Sequence, residues 1–183
     1  MEQPKTRPQR SSRTTVAIRP PRASDGAAVW RLIRDTEALD DNSLYCNLLQ
    51  CSHFSATCAV AEMQGEVVGW MSGYVPPDKP ETLFVWQICV GEQARGRGLA
   101  KRLVADVLGR PECEDVRHIE CTITADNAPS WALFEGMARQ LDARLSRRTH
   151  FSRDVHFDGL HDSEFQVTIG PFDKEAAAVS IAA

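Results

Sequence analysis

With 183 residues the chain has room for one domain, or one domain with tails, and not for two large ones. Hydrophobic residues make up 43% and charged residues 25%, so a sizeable core can be buried and wholesale disorder is argued against. Lys plus Arg is 21 against 25 for Asp plus Glu, and the resulting net charge of -4 speaks against a nucleic-acid binder working through bulk positive charge.

Residues 1–14 are rich in Gln, Arg, Ser, Thr and Pro and lack periodic apolar positions, which predicts a flexible tail. A first strand is expected over Thr15 to Arg19. Ser24 and Asp25 can cap a helix carrying Val29, Trp30, Leu32 and Ile33, and Asn42 or Ser43 can start a shorter one through Leu44, Leu48 and Leu49. Two strands follow, Thr57 to Met63 and Glu66 to Val75, joined by a hairpin turn at Gln64-Gly65. Pro76, Pro77 and Pro80 then impose a loop.

Thr82 to Val90 is the most strand-like stretch, rich in aromatic and β-branched residues, and it runs into a glycine-rich turn at Arg95 to Gly98. Leu99, Leu103 and Val107 recur at four-residue spacing and predict a helix closed by Gly109 and Pro111. A strand over Arg117 to Thr124 leads to a helix capped by Asp126 or Asn127, with Pro129 near its first turn and Leu133, Phe134 and Met137 on its apolar side. Strands near Arg147 to Phe151 and Glu164 to Ile169 complete a domain over 15–171, and 172–183 reads as a second tail. Alternation between periods 2 and 3.6 assigns the α/β class rather than a bundle or a sandwich.

The six cysteines, Cys46, Cys51, Cys58, Cys89, Cys113 and Cys121, lie mostly in apolar stretches and form neither a C-x-x-C pair nor a zinc-finger spacing with His. They read as buried, reduced thiols, so no metal is expected and a reducing, cytoplasmic setting is favoured. The first fifteen residues hold no apolar h-region, and no run of about 18 apolar residues occurs, so neither a secretory signal nor a membrane span is expected.

The chemistry concentrates in Gln93-Ala94-Arg95-Gly96-Arg97-Gly98-Leu99-Ala100. Closely spaced glycines at a helix start let successive backbone N–H groups converge on an anion, the helix dipole adds about half a positive charge, and Arg95 and Arg97 add full charges beside it. The bland alternative is a tight turn with two exposed arginines. A P-loop is excluded because Lys101 is followed by Arg102 rather than by a hydroxyl residue, and a Rossmann fingerprint because its third glycine is absent.

Val90 followed by Gln93-x-x-Gly96-x-Gly98 resembles the Q/R-x-x-G-x-G/A signature of the GCN5-related N-acetyltransferases. The resemblance implies the GNAT acyl-CoA N-acyltransferase fold, a mixed and mostly antiparallel sheet of about seven strands flanked by about four helices. It also implies acetyl-CoA as cosubstrate. Ile88 and Val90 would pair with the pantetheine arm, Gln93, Arg95, Gly96, Arg97, Gly98, Leu99 and Ala100 would form the pyrophosphate loop, and Asn127 would lie near the arm. Many members carry a Tyr seven residues after that Asn as the acid for the leaving thiolate. Here the position is Phe134, and Tyr45 is the substitute candidate.

Four further stretches, 39–45, 51–62, 86–90 and 161–164, resemble the diaminobutyrate acetyltransferase family, which acts in ectoine biosynthesis. This second resemblance runs from about Val16 to Ile169. It implies that Asp40, Tyr45, Trp86, His161 and Glu164 line a pocket for L-2,4-diaminobutyrate, with Glu164, His161 and Tyr45 as the candidate acid–base groups. A substrate with two ammonium groups and one carboxylate needs both acceptors and donors, which these residue types supply. Each also has a plain reading, as a helix cap, a core aromatic or a packing side chain, and His53, His118, His150 and His156 are read as structural. Acetylation of another small amine or a peptide is the alternative activity, and a silent acetyl-CoA-binding module the alternative class. No nucleic acid or membrane partner is expected, and a homodimer is suggested by superfamily habit alone.

Overall fold

The computed structural model describes residues 15–36 and 42–182. Within them lie strands β1 (Val16–Arg19), β2 (Ala59–Met63), β3 (Glu66–Tyr74), β4 (Thr82–Val90), β5 (His118–Thr124), β6 (Leu145–Phe151) and β7 (Glu164–Ile169). Helices α1 (Gly26–Arg34), α2 (Leu44–His53), α3 (Leu99–Leu108) and α4 (Ala128–Gln140) are joined by a short α5 (Arg153–His156) and by α6 (Lys174–Ala182). The predicted tail at residues 1–14 lies outside the described residues. The tail predicted for 172–183 is corrected. Most of it forms α6, and Phe172, Ala177 and Ile181 are buried in the same apolar cluster as Leu103 and Leu108 of α3.

The strands form one sheet in the order β1-β2-β3-β4-β5-β7-β6, antiparallel throughout except between β4 and β5. Gln64 and Gly65, both at positive φ, make the tight turn joining β2 to β3, as their sequence signals. Apolar side chains of α3, α4 and α6 bury one face of the sheet with Leu83, Val85, Ile119, Ile123, Val167 and Ile169. On the opposite face α1 and α2 cover β2, β3 and β4 through Val29, Leu32, Ile33 and Cys51, packed on Val60, Trp70 and Cys89. The start of α1 is pinned by Arg19, which bonds Asp25 at 2.8 Å and Glu62 at 2.9 Å. That guanidinium holds the Asp25 carboxyl below its ordinary range.

Two irregularities shape the middle of the sheet. Ser72 pairs with Gln87 and Gly73 with Val85, so Trp86 is an extra residue, a bulge that twists β4. Pairing between β4 and β5 spans only Thr82 to Phe84 against His118 to Glu120. Beyond Phe84 the two strands part, and among the described residues no strand pairs with the Val85–Val90 edge of β4 that faces β5.

Candidate active site

The gap between β4 and β5 opens into a cleft of about 600 Å³ lined by Ile88, Cys89, Val90, Ala100, Asn127 and Leu133, among others. Asn127 accepts from Ser130 N at 3.1 Å and so caps α4, while Trp131 Nε1 donates to the Thr124 carbonyl at 3.0 Å and ties α4 to the end of β5. Ile88 and Val90 line the cleft, with the Val90 carbonyl accepting from Arg95 Nε at 3.2 Å.

At the mouth of the cleft the chain turns through Gly96 (φ 74) and Gly98 (φ 66), both in the left-handed region. No heavy atom lies within 4 Å of where a Cβ would stand on either glycine, so the space above the loop is open. Gly98 is the N-cap of α3 and brings no capping side chain. The first backbone N–H groups of the helix, on Leu99, Ala100 and Lys101, therefore have neither a helical nor a capping acceptor and present a cradle for an anion. Arg95 lines the cleft and is paired loosely with Glu92 at 3.5 Å, and Arg97 is exposed, touching Met63 Sδ at 3.9 Å. Gln93 folds back onto the backbone of Gly91, and the Leu99 side chain is buried in the core, so at Leu99 only the main chain faces the loop.

On the other side of the gap, strand alternation and register place Phe84, Trp86, Glu120, Thr122, Thr124, Glu164 and Gln166 on one face of the sheet. Among the described residues, the segment between β6 and β7 comes close to this half of the sheet, where His161 and Thr124 line a common hollow. Glu164 stands opposite Thr124, largely buried, and His161 Nε2 is 4.0 Å from Glu164 Oε1. His161 Nδ1 is 2.7 Å from the Asp162 carbonyl. A carbonyl can only accept, so Nδ1 carries the hydrogen and the basic lone pair of the neutral ring sits on Nε2, toward Glu164.

Trp86 is 48% exposed on its bulge and Tyr45 68% exposed in the first turn of α2. Ser43 rather than Asn42 caps α2, accepting from Cys46 N at 3.1 Å. Asn42 is thereby released to donate from Nδ2 to Gln87 Oε1 at 2.7 Å, which fastens the start of α2 to the residue after Trp86. Sequence reasoning saw Asn42 only as a cap, and nothing local signals its partner 45 residues away. Asp40 lies outside the described residues. Phe134, at the position where Tyr serves as acid in many acetyltransferases, is 3% exposed in the core and does not reach the cleft surface. All six cysteines are free thiols. Burial pushes the Cys89 thiol, beside the cleft, up to about 12, which keeps it protonated and unfit as a nucleophile. Among the described residues no three His, Cys, Asp or Glu side chains gather as a metal site.

The model of the acetyltransferase (GNAT) family matches residues 27–138. The L-2,4-diaminobutyric acid acetyltransferase of Methylotuvimicrobium alcaliphilum is 47% identical over 165 residues, covering 90% of this chain and 96% of the relative. The enzyme of the same name from Chromohalobacter salexigens is 48% identical over 166 residues, covering 90% and 86%. Among solved structures, diaminobutyrate acetyltransferase EctA from Paenibacillus lautus, in complex with its substrate L-2,4-diaminobutyric acid and coenzyme A, superposes with a TM-score of 0.83 at 40% identity, covering 87% of this chain and 97% of that one. The chain, with its open β4–β5 gap and amide cradle, belongs to the acetyltransferase (GNAT) family and, within it, to the L-2,4-diaminobutyric acid acetyltransferases.

Proposed function

We propose that the chain transfers the acetyl group of acetyl-CoA to the 4-amino group of L-2,4-diaminobutyrate. The observation that carries this reading is the cleft of about 600 Å³ at the β4–β5 gap, which runs from Ile88 and Val90 to Arg95 and Ala100 at the glycine cradle. Acetyl-CoA supplies the activated thioester. The amides of Leu99, Ala100 and Lys101 with Arg95 and Arg97 would hold its pyrophosphate, and the free edge of β4 at Ile88 and Val90 would take its pantetheine arm as an added strand. An open cradle over Gly96 and Gly98 and a cleft of about 600 Å³ fit that cosubstrate.

The amine must lose a proton before it can attack. By the lysine reference of about 10.4, only about one molecule in two thousand is neutral at pH 7, so a base beside the cleft is required. In this reading His161 Nε2 and the Glu164 carboxylate accept that proton, and Trp86 gives an aromatic wall to the substrate's methylenes and cations. Tyr45 and Asp40 complete the pocket in this reading. Direct attack is favoured over an acyl-enzyme because the thiol beside the cleft stays protonated.

The reading extends to a step of ectoine biosynthesis and hence osmoprotection, carried out in the cytoplasm. Six free thiols support a reducing compartment, and no helix among the described residues is long and apolar enough to cross a membrane. A homodimer is the proposed assembly, checked by light scattering. The activity is tested by following CoA thiol release from acetyl-CoA with diaminobutyrate, spermidine, lysine and a peptide amine. Fastest release with diaminobutyrate is expected. No release with it, or faster release with another amine, would overturn the reading.

A further inference from the structure

A diaminobutyrate pocket needs one cation for the substrate's carboxylate, and Asp40, Tyr45, Trp86, His161 and Glu164 supply none that is permanently charged. On β6, Arg148 stands opposite Gln166 and so shares the face that carries Glu164. Its orientation is built from beneath. Arg148 Nε donates to Gln166 Oε1 at 2.8 Å, and Gln166, 4% exposed, donates from Nε2 to Glu120 Oε2 at 2.7 Å. Glu120 is itself buried and is held by Thr168 Oγ1 at 3.2 Å and Lys79 Nζ at 2.9 Å. An exposed arginine ordinarily samples many rotamers. This one is steadied at Nε by a buried chain across three strands, and its terminal nitrogens meet no hydrogen-bond acceptor among the described residues.

The other basic side chains on this side are engaged elsewhere. Lys79 is bound to Glu120, Arg153 pairs with Asp162 at 2.9 Å, and His161 sits on Glu164. His150, in the bulge of β6, titrates below its ordinary value because of partial burial and the nearby charges of Arg148 and Lys79. We propose that Arg148 receives the carboxylate of the substrate and makes it a requirement for productive binding.

The spacing suits this role. Gln166 and Glu164 are two residues apart on β7, about 7 Å along the strand, within reach of an arginine side chain beside Gln166. Two methylenes and the α-carbon separate the carboxylate of diaminobutyrate from its 4-amino group, so with the carboxylate on Arg148 the 4-amino end can extend toward Glu164, His161 and the cleft. A carboxylate fixed at this point also explains why the 4-amino rather than the 2-amino group would meet the thioester. The inference rests on the diaminobutyrate reading and adds the anchor to it.

The test compares diaminobutyrate with 1,3-diaminopropane, the same diamine without the carboxylate, in the wild-type protein and in Arg148→Met and Arg148→Lys. The wild type should prefer diaminobutyrate in kcat/KM. Arg148→Met should lower that preference roughly 10- to 100-fold, as expected for a hydrogen-bonded charge, through the diaminobutyrate value alone and with the KM of acetyl-CoA unchanged. Arg148→Lys should restore part of it. Should Arg148→Met fail to fold, Gln166→Leu, which keeps the cation and removes its guide, must shift the preference in the same direction. A preference that survives these changes, or a wild type indifferent to the carboxylate, overturns the anchor. Absence of thiol release from the wild type with diaminobutyrate would instead refute the activity itself.

Discussion

Replacing Gly98 with Ala isolates the amide cradle. At φ 66 and ψ 16 an L side chain costs about 1–2 kcal/mol of backbone strain, and because the space around the added Cβ is open, no steric clash adds to it. The cheapest relief is for residue 98 to leave the left-handed region, which turns the N–H groups of Leu99, Ala100 and Lys101 away from a common point. Binding CoA would then have to restore the strained turn, so its Kd should rise by roughly 5- to 30-fold. Titration calorimetry with CoA measures this directly. Gly65→Ala is the control, since Gly65 has φ 83 and equally open surroundings but sits in the β2–β3 turn, away from the cleft. It should lower stability and leave CoA affinity alone. Wild-type affinity in Gly98→Ala, or equal weakening in Gly65→Ala, would refute the assignment of the cradle.

Phe134→Tyr, which restores the acid found in many acetyltransferases, should not raise kcat. The new hydroxyl would enter the core, so a loss of about 1–3 kcal/mol in denaturant unfolding is expected, and an increase in kcat would show that the position does reach the cleft. The Cys58 and Cys89 thiols, raised by burial from an ordinary 9.0 to about 12, stabilise the fold in full below pH 9 and lose that contribution as pH climbs toward 12. At pH 10 the loss is about 1 kcal/mol per thiol, or a few degrees of Tm, and thermal scans should show it shrink in Cys58→Ala and Cys89→Ala relative to pH 7. Asn42→Ala removes the 2.7 Å bond to Gln87. It should raise the KM for diaminobutyrate roughly 5-fold, the value of one hydrogen bond, while that for acetyl-CoA stays put, and equal changes in both would make Asn42 a support of the fold only.

What was legible in the sequence is what local chemistry dictates. The aromatic and β-branched run of β4, the glycines before α3 and the Asn127 cap each declare their geometry within a few residues, and the structure has all three. His161 and Glu164 are singled out by the family resemblance and by the polar stretch they lie in, neither of which contains the 4.0 Å between His161 Nε2 and Glu164 Oε1. The misses are non-local. A Trp86 bulge and the parting of β4 from β5 depend on how three strands register, which no window of sequence contains. α6 was mistaken for a tail because its alanines show no apolar stripe; it is the buried Ala177 and Ile181, resting on α3, that reveal what holds it. The bond from Asn42 to Gln87 and the chain from Arg148 through Gln166 to Glu120 join residues distant in sequence, and their polar side chains look like any others until the strands bring them together.

The nitrogen that receives the acetyl group decides the proposed activity. Mixing the protein with acetyl-CoA and L-2,4-diaminobutyrate and following the product by proton and carbon NMR is the direct measurement. The protons on C4 should move downfield and couple to a new amide while those on C2 keep the shift of a free α-amine, with one CoA thiol released per acetyl transferred. Acetylation at the 2-amino group, or unchanged diaminobutyrate beside intact acetyl-CoA, would contradict it.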